Sequence, residues 1–233
     1  MQDGKQHKMV PQHLKSTGRT IRMSPESRRE QLVEKAADFF SEHGFDAGMR
    51  QMTNGLGVTQ PLIYRYFSSK EELINEVYRK VYVSQWQDSW TTGLRDRSKP
   101  MSVRLAEFYA SYAPAIFNRR WMRILFFAGL KGLDINSRYL TRVADHLLLP
   151  ITEEMRVELG IDSQIPITQM EQELVWVMHG AVFYQGIREH IYRSVETVNH
   201  QFISELAIAS YLEKAPHIVP AAVAQAERAT PAV

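Results

Sequence analysis

Apolar residues recur at three- or four-residue intervals along most of this chain, from residue 25 to residue 214. This spacing puts them on one face of a helix, and no stretch alternates polar and apolar residues as a half-buried strand does. The sequence therefore predicts an all-α protein of about nine helices. Residues 167–193 have a centre that is apolar nearly all round, which indicates burial on more than one face.

Composition narrows the classes of function. The chain of 233 residues has no cysteine, which excludes disulfides, thiolate metal sites and a cysteine nucleophile. No apolar run is long enough to cross a membrane, so we expect no membrane association. The N-terminal residues lack the apolar centre of a signal peptide, so we expect a cytoplasmic protein.

The charge is unevenly placed, although the formal net charge is only +2. Residues 1–71 carry 11 Lys and Arg against 8 Asp and Glu, whereas the rest carries 17 against 18. We expect residues 1–24 to form a flexible basic arm, which is either a plain solvated tail or an aid to phosphate attraction. The Ala- and Pro-rich residues 215–233 are expected to form a flexible tail.

Two short helices around a glycine turn follow the first predicted helix. A serine–proline pair at 24–25 is a good helix start, and the first helix is predicted over 25–43. A short helix over 48–55 and a second one that begins after Thr59 flank Gly57. This arrangement fits a helix-turn-helix, whose second helix enters the major groove of DNA.

The second of these helices has a polar and aromatic surface that suits DNA. Glutamine pairs with adenine and arginine with guanine, while tyrosine hydroxyls and lysine suit phosphates. The alternative for the tyrosines is packing in a small core, and for the lysine a salt bridge. The candidate contact residues are Thr59 (also the expected helix cap), Gln60, Pro61, Leu62, Tyr64, Arg65, Tyr66 and Lys70.

Residues 57–73, GVTQPLIYRYFSSKEEL, resemble the signature of the TetR-like transcriptional regulators, and the likeness extends over about 25–75. The resemblance implies an N-terminal three-helix DNA-binding domain over 25–71. It also implies a larger helical domain over 72–214 that binds a small ligand and dimerises. By position, the resemblance adds Arg50 on the second helix as a DNA contact.

The second helix departs from the family pattern at three positions. Gly48 stands where the family usually has a threonine cap, and Thr53 and Leu56 stand where two alanines are usual. We expect a weak helix start here, because glycine offers no side-chain acceptor to the first N–H groups. The helix is accordingly expected to be shorter or differently seated.

The second domain is rich in aromatic residues, which either fill its core or line an apolar ligand cavity. Two of them have polar atoms that suit an anchoring role, Tyr112 and His179, although a lone histidine on an apolar face is more often a core group. The candidate ligand-binding residues are Phe108, Tyr109, Tyr112, Trp121, Phe126, Trp176, His179 and Phe183.

These features together predict a ligand-responsive regulator of transcription. We expect a repressor that forms a homodimer and binds an inverted-repeat operator on double-stranded DNA. The dimer is expected to form through the helices at 167–193 and 195–214, and a small apolar or aromatic effector is expected to release the DNA. The helix at about 70–92 is the expected link between the domains. No catalytic residue, metal site or cofactor is predicted. A helical adaptor that has lost DNA binding and, less readily, a helical enzyme remain as alternatives.

Overall fold

The computed structural model describes residues 23–162, 164–194 and 199–229, and this part of the chain is all-helical, as predicted. The predicted arm over 1–24 lies outside the described residues except for its last two. The helices are α1 (Pro25–His43), α2 (Met49–Leu56), α3 (Gln60–Tyr66), α4 (Lys70–Tyr78), α5 (Asp88–Leu94), α6 (Met101–Ile116), α7 (Arg119–Lys131), α8 (Ile135–Val143), α9 (Leu149–Glu158), α10 (Gln169–His190) and α11 (His200–Ala229).

The first helix has the boundaries that its end signals predict. The side chain of Ser24 accepts a hydrogen bond from the Ser27 N–H at 3.1 Å, and Pro25 occupies the first turn, where a missing N–H costs nothing. The helix ends at Gly44, whose φ of 71° lies in the left-handed region that glycine adopts readily. Sequence signals at both ends therefore determine α1.

Two wider, π-helical turns interrupt the regular helices. One turn, Arg79–Val83, follows α4 directly, and the helical run then stops, so the predicted helix over 70–92 is divided before α5 begins. The other, Ala144–Leu148, joins α8 to α9 just ahead of Pro150. Proline lacks an N–H and crowds the preceding turn, which explains the irregularity ahead of Pro150.

The last helix corrects the prediction of a flexible tail. The predicted start at 195 falls outside the described residues, but α11 continues to Ala229 instead of ending near 214. The tail was expected because residues 215–233 are rich in alanine and proline, including Pro216 and Pro220. Both lie four residues apart on the exposed side, where the carbonyl groups that lose an N–H partner are free to bind water. The opposite side is buried.

The helices pack into one continuous core that runs from α1 to α11. Helices α10 and α11 pack along each other, and α11 also packs against α6. Helix α1 lies on α7, so the N-terminal helices rest on the larger helical body at this junction. Over the described ranges, no helix combines the length and apolarity that crossing a membrane requires.

Candidate nucleic-acid interface and ligand region

The turn between α2 and α3 has the geometry of a helix-turn-helix. Gly57 ends α2 with φ 64°, and its N–H donates to the carbonyl of Asn54 at 3.1 Å. The Val58 N–H donates to the Thr53 carbonyl at 3.0 Å. A left-handed glycine with this pair of bonds closes a helix and turns the chain sharply. The turn thus directs α3 away from α2.

The departures from the family pattern in α2 have structural explanations. Gly48 provides no side-chain cap, as expected, but Thr53 and Leu56 are both buried and belong to the core of the N-terminal helices. Gly55 allows the closest approach, because a Cβ atom there would lie 2.6 Å from the ring of Phe39 on α1. Gly55 therefore lets α2 pack directly against α1, a contact that the sequence did not reveal.

Helix α3 buries one side, and most of the predicted contact residues are exposed. Ile63 is fully buried, and Phe67 at the helix end is in the core. The Tyr64 side chain is 47% exposed. Of the remaining candidates, Thr59, Gln60, Pro61 and Arg65 are exposed, as is Arg50 on α2, whereas Leu62, Tyr66 and Lys70 are half-buried. Thr59 occupies the N-cap position, but its hydroxyl makes no capping bond.

Lys70 has a structural role that the sequence did not reveal. Its ammonium donates to the backbone carbonyls of Phe45 and Ala47 at 2.6 and 2.8 Å. Both residues lie in the loop between α1 and α2. Partial burial lowers the pKa of Lys70. Because an ammonium has three donors, one N–H remains for a phosphate. The same charge therefore braces the loop and keeps one donor free.

Arg29 supports the end of α3 and was missed in the sequence. Its guanidinium lies 4.8 Å from the centre of the Phe67 ring and forms ion pairs with Glu76 at 3.0 Å and Glu72 at 3.4 Å. Glu72 in turn accepts the Ser68 N–H at 2.6 Å, and this bond lowers the pKa of the carboxyl group. Only the fold brings α1, α3 and α4 together at this point.

Comparisons with known proteins agree with this geometry. Residues 32–77 match the family model described as bacterial regulatory proteins, tetR family. The chain is 41% identical over 54 residues to the HTH-type transcriptional repressor KstR2 of Mycobacterium tuberculosis, which covers 23% of this chain and 27% of the relative. It is 37% identical over 60 residues to the HTH-type transcriptional activator FasR of Mycolicibacterium smegmatis, covering 25% of this chain and 27% of the relative. The match thus spans about a quarter of each curated relative.

Solved structures extend the likeness to the whole fold. A TetR-like regulator from Rhodococcus sp. RHA1 superposes with a TM-score of 0.61 at 16% identity, covering 82% of this chain and 99% of that one. A TetR-family regulator described as putative, from Mesorhizobium loti, gives a TM-score of 0.57 at 13% identity, covering 82% and 98%. The chain therefore has the fold of TetR-like regulators, and residues 32–77 carry the match to the family model. The curated relatives that this chain matches are named as transcriptional regulators.

A row of ion pairs joins α7 to α1. Arg120 pairs with Glu34 at 2.5 Å and with Asp38 at 3.1 Å. Arg123 donates to the Ser41 carbonyl at 2.5 Å and to the Glu42 carbonyl at 3.1 Å. Arg119 also pairs with Glu42, and Lys131 pairs with Asp46. The contact between the N-terminal helices and the rest of the protein therefore includes α7, whereas only the segment at 70–92 was expected to link them.

Most of the predicted ligand-binding residues lie together in a packed aromatic core. Phe108, Tyr109, Tyr112, Trp121 and His179 are buried. The hydroxyl groups of Tyr112 and Tyr139 are 2.6 Å apart, and the Tyr109 hydroxyl is 3.3 Å from Nδ1 of His179. Trp176 is half-buried, with its ring centre 5.8 Å from that of His179. Burial lowers the pKa of His179 to about 4, so it is neutral at pH 7.

Two of the predicted residues, Phe126 and Phe183, line a cavity. This cavity of about 360 Å³ lies among α7, α8 and α10, and Tyr139 forms another part of its wall. A groove of about 440 Å³ runs separately between α10 and α11 and is lined by residues such as Val177, Tyr184 and Leu206. The structure thus separates one apolar pocket from one apolar groove.

A polar cluster closes the junction between α10 and α11. Ligand atoms of Glu189, His190 and His200 lie within 4.8 Å of one another, a spacing that a metal ion could use. Oε2 of Glu189 lies 2.8 Å from Nε2 of His200, and Nε2 of His190 bonds to the Phe117 carbonyl at 2.7 Å. Each residue therefore already has a protein partner. The Glu189–His200 pair therefore joins α10 to α11, and His190 joins α10 to the end of α6.

Proposed function

We propose that this protein is a transcriptional regulator that binds an inverted-repeat operator as a homodimer and acts in the cytoplasm. The observation that carries the proposal is the exposed polar face of α3, held in place by buried Ile63 and Phe67. A rigid support with a free polar surface is what recognition in the major groove requires. The same exposed face argues against an adaptor that has lost DNA binding.

The side chains of this face divide into two groups by chemistry. Gln60 and Arg65 carry donors that suit base edges, and Pro61 and Leu62 offer apolar contact to thymine methyl groups. Tyr64, Tyr66 and the remaining donor of Lys70 suit phosphates, as do Thr59 and Arg50. Phosphate contacts position the helix, whereas the base contacts select the sequence.

The dimer is proposed to form through α10 and α11. Val177 and Tyr184 on α10 and Phe202 and Leu206 on α11 are large apolar residues that are more than half exposed. Gly180, between the first two, has open space where a Cβ would lie. A contiguous apolar face of this kind marks an interaction surface. A two-fold dimer requires a two-fold operator, with recognition helices about 34–36 Å apart.

A small apolar molecule is the proposed effector, and repression relieved by that molecule is the proposed mode of action. Effector and operator then affect each other's affinity by the same factor, because the coupling is reciprocal. The two curated relatives named above are a repressor and an activator, so the sign of regulation is part of what must be measured.

The experiment is a selection of operator sequences from random double-stranded DNA with the full chain, followed by affinity measurements. We expect Gln60→Ala to relax preference at one or two base pairs, worth about 1–3 kcal/mol of discrimination. Tyr64→Ala should weaken binding to all DNA sequences alike. Gln85→Ala is the matched control, since Gln85 is an exposed glutamine outside the helix-turn-helix. Selection that enriches no sequence would contradict the proposal.

A further inference from the structure

Two imidazole rings and a carboxylate meet where α10 ends and α11 begins. Oε2 of Glu189 lies 2.8 Å from Nε2 of His200, and its other oxygen lies 3.8 Å from Nε2 of His190. One candidate ligand atom from each residue lies within 4.8 Å of the other two. No metal site was predicted from the sequence, because Glu189 and His200 are 11 residues apart and belong to different helices. Only the packing of α11 on α10 brings the three side chains together.

The spacing and the exposure of this cluster suit a metal ion. Zinc bonds of about 2.0–2.2 Å place tetrahedral ligand atoms roughly 3.3–3.6 Å apart, so the cluster has to contract by only about 1 Å. The side chains are partly exposed, at 40% for Glu189, 18% for His190 and 25% for His200. A hydrated ion therefore has a path to the cluster, and a fourth coordination position remains for water.

The hydrogen bonds of the two histidines leave each ring with a nitrogen for a metal. A neutral imidazole has one N–H and one lone pair. Nε2 of His190 lies 2.7 Å from the Phe117 carbonyl, which can only accept, so the proton is on Nε2 and the lone pair is on Nδ1. Histidines that bind metals generally donate their second N–H to such a group. Nδ1 of His200 is buried without a hydrogen-bond partner, and its Nε2 contacts Glu189, which would share the ion.

The chemistry of the donors selects the class of cation. Imidazole nitrogen favours Zn²⁺ and neighbouring transition-metal ions, whereas Mg²⁺ and Ca²⁺ prefer oxygen ligands. Two histidines with one glutamate form the protein part of established zinc sites in other proteins. Zinc is therefore the ion that this set of side chains fits best.

We propose that Glu189, His190 and His200 bind one Zn²⁺ ion, and that the ion joins the C-terminal end of α10 to the N-terminal end of α11. The site lies outside the helix-turn-helix, and its occupancy does not depend on DNA binding. An ion that binds the folded chain and not the unfolded chain stabilises the fold. The bound ion thus strengthens the junction that the Glu189–His200 pair already forms.

The first test measures Zn²⁺ binding to the full chain, purified without a histidine tag, by equilibrium dialysis. We expect His200→Ala to weaken the binding of one equivalent of Zn²⁺ at least about tenfold, since even the loss of a residue that only orients a ligand costs this much. His217→Ala is the matched control, because His217 is an exposed histidine on the same helix. We expect this control to bind like the unchanged chain.

Glu189→Gln keeps the size of the side chain and tests the site if His200→Ala does not fold. It should also weaken Zn²⁺ binding at least about tenfold. Glu213→Gln, which changes an exposed glutamate on α11, should not. Equal Zn²⁺ affinity in the unchanged chain and in Glu189→Gln would overturn the proposal. Half an equivalent of Zn²⁺ per chain would also overturn it, because the ion would then bridge two copies.

The second test measures the midpoint of thermal unfolding with and without Zn²⁺. We expect Zn²⁺ to raise the midpoint of the unchanged chain and of His217→Ala, and we expect EDTA to reverse the rise. The midpoint of Glu189→Gln should not respond to Zn²⁺. An equal rise in Glu189→Gln would overturn the site. An equal rise with Mg²⁺ in the unchanged chain would overturn the nitrogen ligands.

Discussion

His179 is a neutral side chain at the centre of the aromatic core. Burial lowers its pKa to about 4, against about 6.5 in an unfolded chain. Its neighbours are the rings of Tyr109, Tyr112 and Phe117, none of which compensates a positive charge at pH 7. The unfolded state therefore binds more protons than the folded state as the pH falls from 6.5 to 4.

This difference predicts that the titration of His179 makes the folded state less stable in acid. The contribution of His179 to the free energy of unfolding should fall by about 3 kcal/mol between pH 7 and pH 4. The measurement is the free energy of urea unfolding of the unchanged chain and of His179→Phe at both pH values. Between pH 7 and pH 4, the unchanged chain should lose more stability than His179→Phe by that amount. Tyr109→Phe keeps the histidine and should retain the pH dependence. An equal response of all three chains would contradict the assignment.

Among the elements, α11 shows how two prolines concealed a helix. Its last turns bury Ala215, Val219, Ala222 and Val223, a stripe that follows the helical period and packs toward α6. Alanine has the highest helix propensity, and it is abundant in this segment. The helix thus gains from both propensity and burial, although the prolines remove two internal hydrogen bonds.

A pair of substitutions tests whether this segment is a packed helix. Val219→Asp places a carboxylate in a buried position and should lower the free energy of unfolding by at least about 2 kcal/mol. Ala221→Asp introduces the same carboxylate two residues away on the exposed side. It should change the free energy of unfolding by no more than about 0.5 kcal/mol. Thermal or urea unfolding measures both. Equal, small effects would restore the flexible-tail prediction.

For the whole molecule, the exposed apolar face of α10 and α11 determines the expected assembly. Sedimentation equilibrium at micromolar concentration should give twice the chain mass of 26.9 kDa. Leu206→Glu should yield monomers with weaker operator binding, because like charges would face each other across the two-fold axis. Val157→Glu, also about half exposed but on α9, should remain dimeric. A monomeric unchanged chain would contradict the proposed interface.

Much of the N-terminal domain was predictable because its signals are local. The caps of α1, the turn at Gly57 and the buried spacing of Ile63 and Phe67 depend on residues within a few positions of one another. The exposed set on α3 followed from the same periodicity. Pro150 is likewise a local cause of the irregular turn ahead of it.

The remaining features depend on residues that are far apart in the chain. The bonds from Lys70 to the loop carbonyls of Phe45 and Ala47, the fit of Gly55 against Phe39, and the ion pairs between α7 and α1 have no signature within a short window. Aromatic content alone likewise did not separate the core around His179 from the cavity beside Phe126.

The sequence by itself determined the helical class, the helix-turn-helix and its exposed face, because spacing and end signals act over a single helix. Only the tertiary structure decided which aromatic residues are core, where the cavity lies and which helix rests on α1. Those outcomes depend on how complete helices pack, since burial and unpartnered polar atoms are properties of the assembled molecule.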